Sequence, residues 1–433
     1  MKIAIVGCGI AGMSAAYDLI NAGHQVEIFE AAAHPGGLAA GFRDPNWEWS
    51  LEQFYHHWFL SDSAMLGLID ELGWKDRVVV RRPITVMYHK GKFFPFDSIP
   101  AAIMYPGLGW GINKIRFGLV GLFLRLSNNW KPLEYVTVDA WMRKWAGNTV
   151  YEQMWKPMLD GKFGERFAGQ VNMAWMWARF HARTTKLATF EGGFQNFANS
   201  FAAELQKRGG IIHYSTRVGN IQANQKGGVA IKTDDSNLEF DRCLVTVSPA
   251  LMARMVPDLP QAYLQGLLDL KSLGAVVMVI AIKHPLSDKG YYWFNLPKSA
   301  GFPFLALVEH TNFLSKDLYG GDHLLYCGDY LETDHEYFKL TQEEILERFL
   351  PALQRINPEF KTDWVRKSWL FRTNYAQPVP LVDHSKNIPA IQTPINGLYF
   401  ASMSQVYPWD RGTNFAVQIG RKAASLILTD SPK

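Results

Sequence analysis

The stretch KIAIVGCGIAGMSAAYDLINAGHQVEIFE, Lys2 to Glu30, decides the fold. It opens with a continuous apolar run of strand type, Lys2 to Gly7. The next residues, AGMSAAYDLINAGH, carry apolar side chains at helical spacing and stop at Gly23. QVEIFE, Gln25 to Glu30, is a second strand. Strand, turn, helix and strand in about thirty residues predict a parallel β-α-β unit with a right-handed crossover.

Gly7, Gly9 and Gly12 occupy the turn of that unit. Gly7 lets the chain leave the strand sharply. Gly9 has no side chain, so a pyrophosphate can approach the backbone. Gly12 lets the helix pack close to the strand. Ile10 and Ala11 open the helix, whose free N–H groups and positive dipole end suit phosphates. Glu30 closes the second strand, eighteen residues after Gly12, with Ala31 beside it. A carboxylate there accepts hydrogen bonds from ribose hydroxyls and opposes a 2′-phosphate, which disfavours NADP. FAD and NAD share such a loop. A second pair, Gly36 and Gly37, followed by Leu38, lies just past Glu30 and resembles the pair in FAD enzymes of the glutathione-reductase-2 type. Glycines there let the backbone run close to the cofactor and leave N–H groups free.

At 433 residues the chain is too long for one core, and two interleaved domains are expected. With 44 basic and 40 acidic residues it is nearly balanced, which argues against nucleic-acid binding. Cys8, Cys243 and Cys327 have no metal spacing and suggest no disulfide framework, so a reducing, cytoplasmic compartment fits and no metal site is expected. No signal peptide is visible. Residues 99–130 are the least polar stretch, but Lys114, Arg116, Arg125 and several Gly and Pro interrupt any spanning helix. A buried helix pair is the favoured reading, and peripheral contact with a membrane surface is the alternative.

Later segments extend the plan. FEGGFQNFANSFAAELQKRGGIIHYSTRVGNIQ, Phe190 to Gln222, reads as a turn, an amphipathic helix stopped by Gly209 and Gly210, then a strand. A hairpin turning at DDSN runs into an apolar strand at residues 243–248. Residues 273–285 are strand-like. Thr341 and Glu344 form a capping box for a helix. NGLYFASMSQVYPWDRGTNFAVQIGRKAASLIL, Asn396 to Leu428, reads strand, loop, helix.

Three of these segments together resemble the flavin-containing amine oxidase superfamily, which includes protoporphyrinogen oxidases and phytoene-type desaturases: Lys2–Gly41, Phe190–Ile221 and Gly397–Ser425. The resemblance implies an α/β fold with a Rossmann-like FAD-binding domain interleaved with a mixed α+β substrate domain. The corresponding boundaries are 1–80, 185–255 and 385–433 for the first, 81–184 and 256–384 for the second. It also implies that Val218 meets the adenine with its backbone and that Gly412, Thr413 and Asn414 face the flavin. Relatives often carry Gly-Asp or Gly-Glu after the last strand. Here ASMSQ stands there, and Asp410 is the nearest acid. No cysteine lies near the closing motif, so a non-covalent FAD is expected.

The flavin carries redox chemistry itself, and the protein positions the substrate. In LEQFYHHWF, Leu51 to Phe59, His56 or His57 could serve as acid or base, or pack as a structural group. Tyr375, Tyr407 and Trp409 are candidate members of an aromatic cage. Lys156, Lys162 and Arg372 read as solvated surface charges. The expected function is hydride transfer from a hydrophobic, isoprenoid- or tetrapyrrole-like molecule to flavin N5. A UDP-galactopyranose-mutase-like enzyme acting on a nucleotide sugar and a non-catalytic FAD protein are the alternatives.

Overall fold

The computed structural model describes residues 1–109, 111–225 and 227–430. Strand Lys2–Val6 pairs in parallel with Gln25–Phe29 on one side and Arg242–Val245 on the other. Ile211–His213 and Leu398–Phe400 extend this to five parallel strands drawn from four distant parts of the chain. A parallel sheet is covered on both faces, and the alternation of the opening strand reflects it. Ile3 and Ile5 pack beneath helices Ile10–Asn21, Phe194–Lys207 and Thr413–Thr429. Ala4 and Val6 face the three-stranded sheet built from Val218–Ala223, Val229–Thr233 and Asn237–Phe240. The hairpin expected at DDSN joins the last two of these strands.

In a second, seven-stranded sheet, Ser272–Ile282 lies between the edge strand Val365–Pro378 and His323–Leu331. Ala306–Glu309, Tyr291–Asn295, Ile84–His89 and Lys92–Pro95 follow in that order. Its pairings are antiparallel except for Tyr291–Asn295 against Ile84–His89. Val276, Met278, Ile280 and Ile282 turn one face toward helix Gln342–Ile356. Thr341 and Glu344 do form the capping box of that helix. Val277, Val279 and Ala281 line the opposite face.

The helices between residues 112 and 182 make a separate layer with its own aromatic core. Here the buried pair expected at 99–130 does not form. Helix Ile112–Leu126 buries Val120 and Leu124, and Phe117 stacks on Trp155 at 5.7 Å. Its other face leaves Ile112, Ile115, Leu119, Leu122, Phe123 and Leu126 exposed, with Ile103 and Met104 exposed on the preceding helix. Among the described residues no helix is long and apolar enough to cross a membrane.

Candidate active site

The glycine loop is built as its spacing predicts. Gly7 adopts φ +105°, a conformation that disfavours any side chain. A Cβ on Gly12 would stand 2.1 Å from the Gly7 carbonyl oxygen, so this glycine sets how closely helix and turn pack. A Cβ on Gly9 would meet nothing nearer than Gly37 Cα at 3.9 Å. The space at Gly9 is therefore kept open toward a cavity. Gly36, at φ +122°, donates its N–H to Cys8 O at 2.9 Å and bridges to Gly9, which seats the second glycine pair on the first loop.

Glu30 also makes contacts within the loop that its spacing does not disclose. Its carboxylate accepts the Cys8 N–H at 2.7 Å and the Ala32 N–H at 2.8 Å, clamping the glycine turn to the end of the second strand. An ionised carboxylate has about four acceptor positions, so two stay available to a ribose.

These residues open onto a cavity of about 850 Å³. Gly7, Gly9, Ile10, Ala11, Glu30, Ala31, Gly36, Gly37 and Leu38 form part of its wall, as do Val218, Gly412 and Thr413. The seven-stranded sheet supplies another part: Ala275, Val277, Trp293, Val308, Tyr326, Gly328, Tyr330, Thr373 and Tyr375. Alternation in His323–Leu331 puts Tyr326, Gly328 and Tyr330 on one face. Asp329 between them also borders the cavity and pairs with Lys298 at 3.4 Å. The cavity thus joins the glycine loop and the start of helix Ile10–Asn21 to a mostly apolar and aromatic surface. Its volume falls in the usual range for small-molecule and cofactor sites.

Of the two histidines, the structure brings only His56 to the cavity wall. Its Nδ1 lies 2.5 Å from the Phe54 carbonyl oxygen and donates to it when the ring is neutral. Burial pushes His56 down to about 4, against the pull of that carbonyl, and the Arg411 charge lowers it further. His56 is therefore neutral at physiological pH, with Nε2 left as an acceptor. His57 packs its ring 5.3 Å from Tyr55 and 4.9 Å from Phe59, away from the wall, and burial depresses it to about 3. Tyr375 lines the cavity with its hydroxyl fixed by Ser404, at 2.7 Å to Oγ and 3.0 Å from the backbone N–H. Burial raises its pKa, so it stays a phenol.

Several expected site residues lie elsewhere. Gly12 packs within the turn rather than on the wall. Asn414 accepts N–H groups of Ala64 and Met65 at 2.9 and 3.1 Å, capping a neighbouring helix. Tyr407 accepts a hydrogen bond from Asn172 at 3.0 Å, and Trp409 stacks on Phe415 at 5.6 Å, so neither belongs to a cage at the cavity. Asp410 is not on the wall. Its carboxylate is held by Lys162 at 2.8 Å and Arg179 at 3.0 Å. Lys162, read as a surface charge, is buried. Lys156 does pair on the surface with Asp160, at 2.6 Å. Sequence reading missed Tyr326, Gly328 and Tyr330, although their period of two within one strand was the available signal. Arg179 carried no such signal, because a helix two hundred residues upstream delivers it to Asp410.

With this geometry in place, the comparison with known proteins gives the class. The chain belongs to the flavin containing amine oxidoreductase family, which matches residues 10–428, and is a flavin-dependent oxidoreductase. It is 23% identical over 466 residues to the 15-cis-phytoene desaturase of Glycine max, covering all of this chain and 80% of that one. It is 31% identical over 258 residues to the zeta-carotene desaturase of Synechocystis, covering 53% of this chain and 52% of that one. An oxidoreductase from Methanosarcina mazei shares the fold at a TM-score of 0.74 and 18% identity, covering 98% of this chain and 100% of that one. The cradle fits a flavin dinucleotide. Gly9 leaves open space on the cavity wall where a side chain would stand, and the backbone N–H groups at the helix start suit a diphosphate.

Proposed function

We propose that the protein holds FAD non-covalently and desaturates an apolar, isoprenoid-like molecule. The observation that carries this reading is the single cavity shared by the dinucleotide cradle and the apolar wall of the seven-stranded sheet. The flavin, when bound, supplies the oxidant that accepts a hydride from a C–H bond. The chain's own residues do the rest. Val277, Val308, Trp293 and Tyr326 exclude water and hold an apolar chain by contact. His56 Nε2 accepts the proton lost from the neighbouring carbon, so that two hydrogens leave and a double bond remains. A weakly basic imidazole suffices, because a carbon next to a developing cation is a strong acid. Burial, with a smaller contribution from the Arg411 charge, keeps His56 neutral between turnovers. In the same reading, residues 1–80, 185–255 and 385–433 form an FAD domain of the glutathione-reductase-2 type, and the remainder forms the substrate domain. Three free, buried cysteines suit a reducing, cytoplasmic setting. Anaerobic mixing with a carotenoid precursor in detergent should bleach the flavin absorbance in a single phase. No bleaching with any acyclic polyene would reject the substrate class.

The exposed face of helix Ile112–Leu126 is part of the proposal. Its apolar residues recur every three or four positions, as in a helix lying in a lipid interface. An apolar substrate of this kind resides in membranes. Leu119→Asp together with Leu122→Asp should cut sedimentation with liposomes at least tenfold, leaving flavin content and melting temperature unchanged. Equal sedimentation of this variant and the native protein would remove the membrane contact.

A further inference from the structure

Beside the cavity, charged side chains from three separated segments meet. Lys162 Nζ and Arg179 Nη1 donate to Asp410 Oδ2 at 2.8 and 3.0 Å. Asp410 Oδ1 accepts the Arg411 backbone N–H at 3.1 Å and Gln377 Nε2 at 3.4 Å. Arg411 Nε donates to Gln377 Oε1 at 3.0 Å, and its Nη2 donates to the Tyr330 hydroxyl. The side chains of Lys162, Arg179 and Asp410 are only 11%, 13% and 22% exposed. The guanidinium groups of Arg179 and Arg411, together with that of Arg183, which feels the charges of Arg179 and Asp410, outnumber the one carboxylate near neutral pH, and Lys162 adds to the surplus when protonated. Trp175 and Tyr330 offer ring faces to the cations, at 4.9 Å from Arg179 and 4.9 Å from Arg411, which offsets part of their desolvation. A net positive charge in so dry a place remains costly until a negative group comes near. Arg411 and Tyr330 carry the cluster to the cavity wall. Gly412, also on the wall, precedes helix Thr413–Thr429, whose N-terminal dipole has the same sign.

We propose that Lys162, Arg179, Asp410 and Arg411 act as a unit that sets the reduction potential of the bound flavin, by stabilising the negative charge its ring gains on reduction. The proposal rests on the flavin reading of the cavity. Two electrons and one proton convert the neutral oxidised ring to its anionic reduced form, and a second proton, at N1, would neutralise it. A nearby positive field favours the anion. It raises the potential and lowers the pH at which the second proton is taken up. The cluster members position charge and touch no reacting atom.

The test is a substrate-free reductive titration of the holoenzyme with dithionite against a reference dye. It uses a Lys162→Met background, in which the ammonium cannot compensate by shifting its own proton. In that background, adding Asp410→Asn should raise the midpoint potential and adding Arg179→Gln should lower it. The pH at which the reduced spectrum changes from anionic to neutral should move the opposite way in each. General loosening of the site would move both variants in one direction, so opposite signs separate charge from structure. Lys162→Gln provides the same background if Lys162→Met does not fold. Potentials that stay put, or move together, overturn the proposal. A potential that stays put while KM rises only for carboxylated substrates would assign the cluster to a substrate anion instead. A native protein that binds no flavin would defeat the flavin reading, a result distinct from either.

Discussion

Gly9→Ala is expected to give a stable protein that has lost most of its flavin, whereas Gly12→Ala loses flavin and stability together. The chemical change is the same methyl group at both positions. Gly9 has φ −78° and ψ 177°, extended backbone open to any residue, and its new Cβ would meet only Gly37 Cα at 3.9 Å. Inside the protein nothing must move. The methyl enters the space left for the diphosphate, at a cost of about 1–3 kcal/mol of binding, a roughly ten- to hundredfold loss of affinity. At Gly12 the methyl would lie 2.1 Å from the Gly7 carbonyl oxygen. The helix must then lift from the turn, which disturbs the cradle and the core beneath it. Flavin-to-protein ratio after gel filtration, set beside the melting temperature of the flavin-free protein, separates the two effects. Flavin retention in Gly9→Ala equal to native would mean that the diphosphate does not pass this residue.

The second large effect concerns His56. His56→Leu should lower turnover by about 10²–10⁴, the usual worth of a general base, without changing flavin content. His57→Leu should leave turnover within a few-fold, because that ring packs against Tyr55 and Phe59 instead of the wall. The pH profile of the native enzyme carries the sign. A base must be neutral to act. Burial holds His56 down at about 4, so kcat/KM should stay flat from neutral pH downward and fall only as pH drops through about 4. An unperturbed imidazole would begin to lose activity near pH 6.5. A fall centred there, or equal losses in both variants, would take the proton-accepting role away from His56.

The cradle was legible in the sequence because each of its constraints is local. A strand end, three glycines, a helix and an acid at fixed spacing leave the backbone few other arrangements. The closing strand, loop and helix were legible for the same reason. The apolar wall of the cavity was not, since it is assembled from strands of the seven-stranded sheet whose pairings span much of the chain. Val277 and Gly328 face each other only because Ser272–Ile282 and His323–Leu331 are antiparallel partners. The charged cluster was hidden more deeply. Lys162 and Arg179 sit on helices with ordinary sequence contexts, and only the folded chain brings them to Asp410. The expected burial of Ile112–Leu126 did not form on its outward face, because apolar spacing at helical period looks the same whether the face is covered or left exposed.

We propose that one cavity, formed by the opening glycine loop and the start of the closing helix, holds a single FAD without a covalent link. The absorbance spectrum of the purified protein, followed by that of the supernatant after heat precipitation, addresses it most directly. Flavin bands in the native protein that pass entirely into the supernatant as FAD, at one equivalent per chain, are the predicted result. A colourless protein that takes up no FAD when it is supplied in excess, or yellow colour that stays with the precipitate, would contradict it.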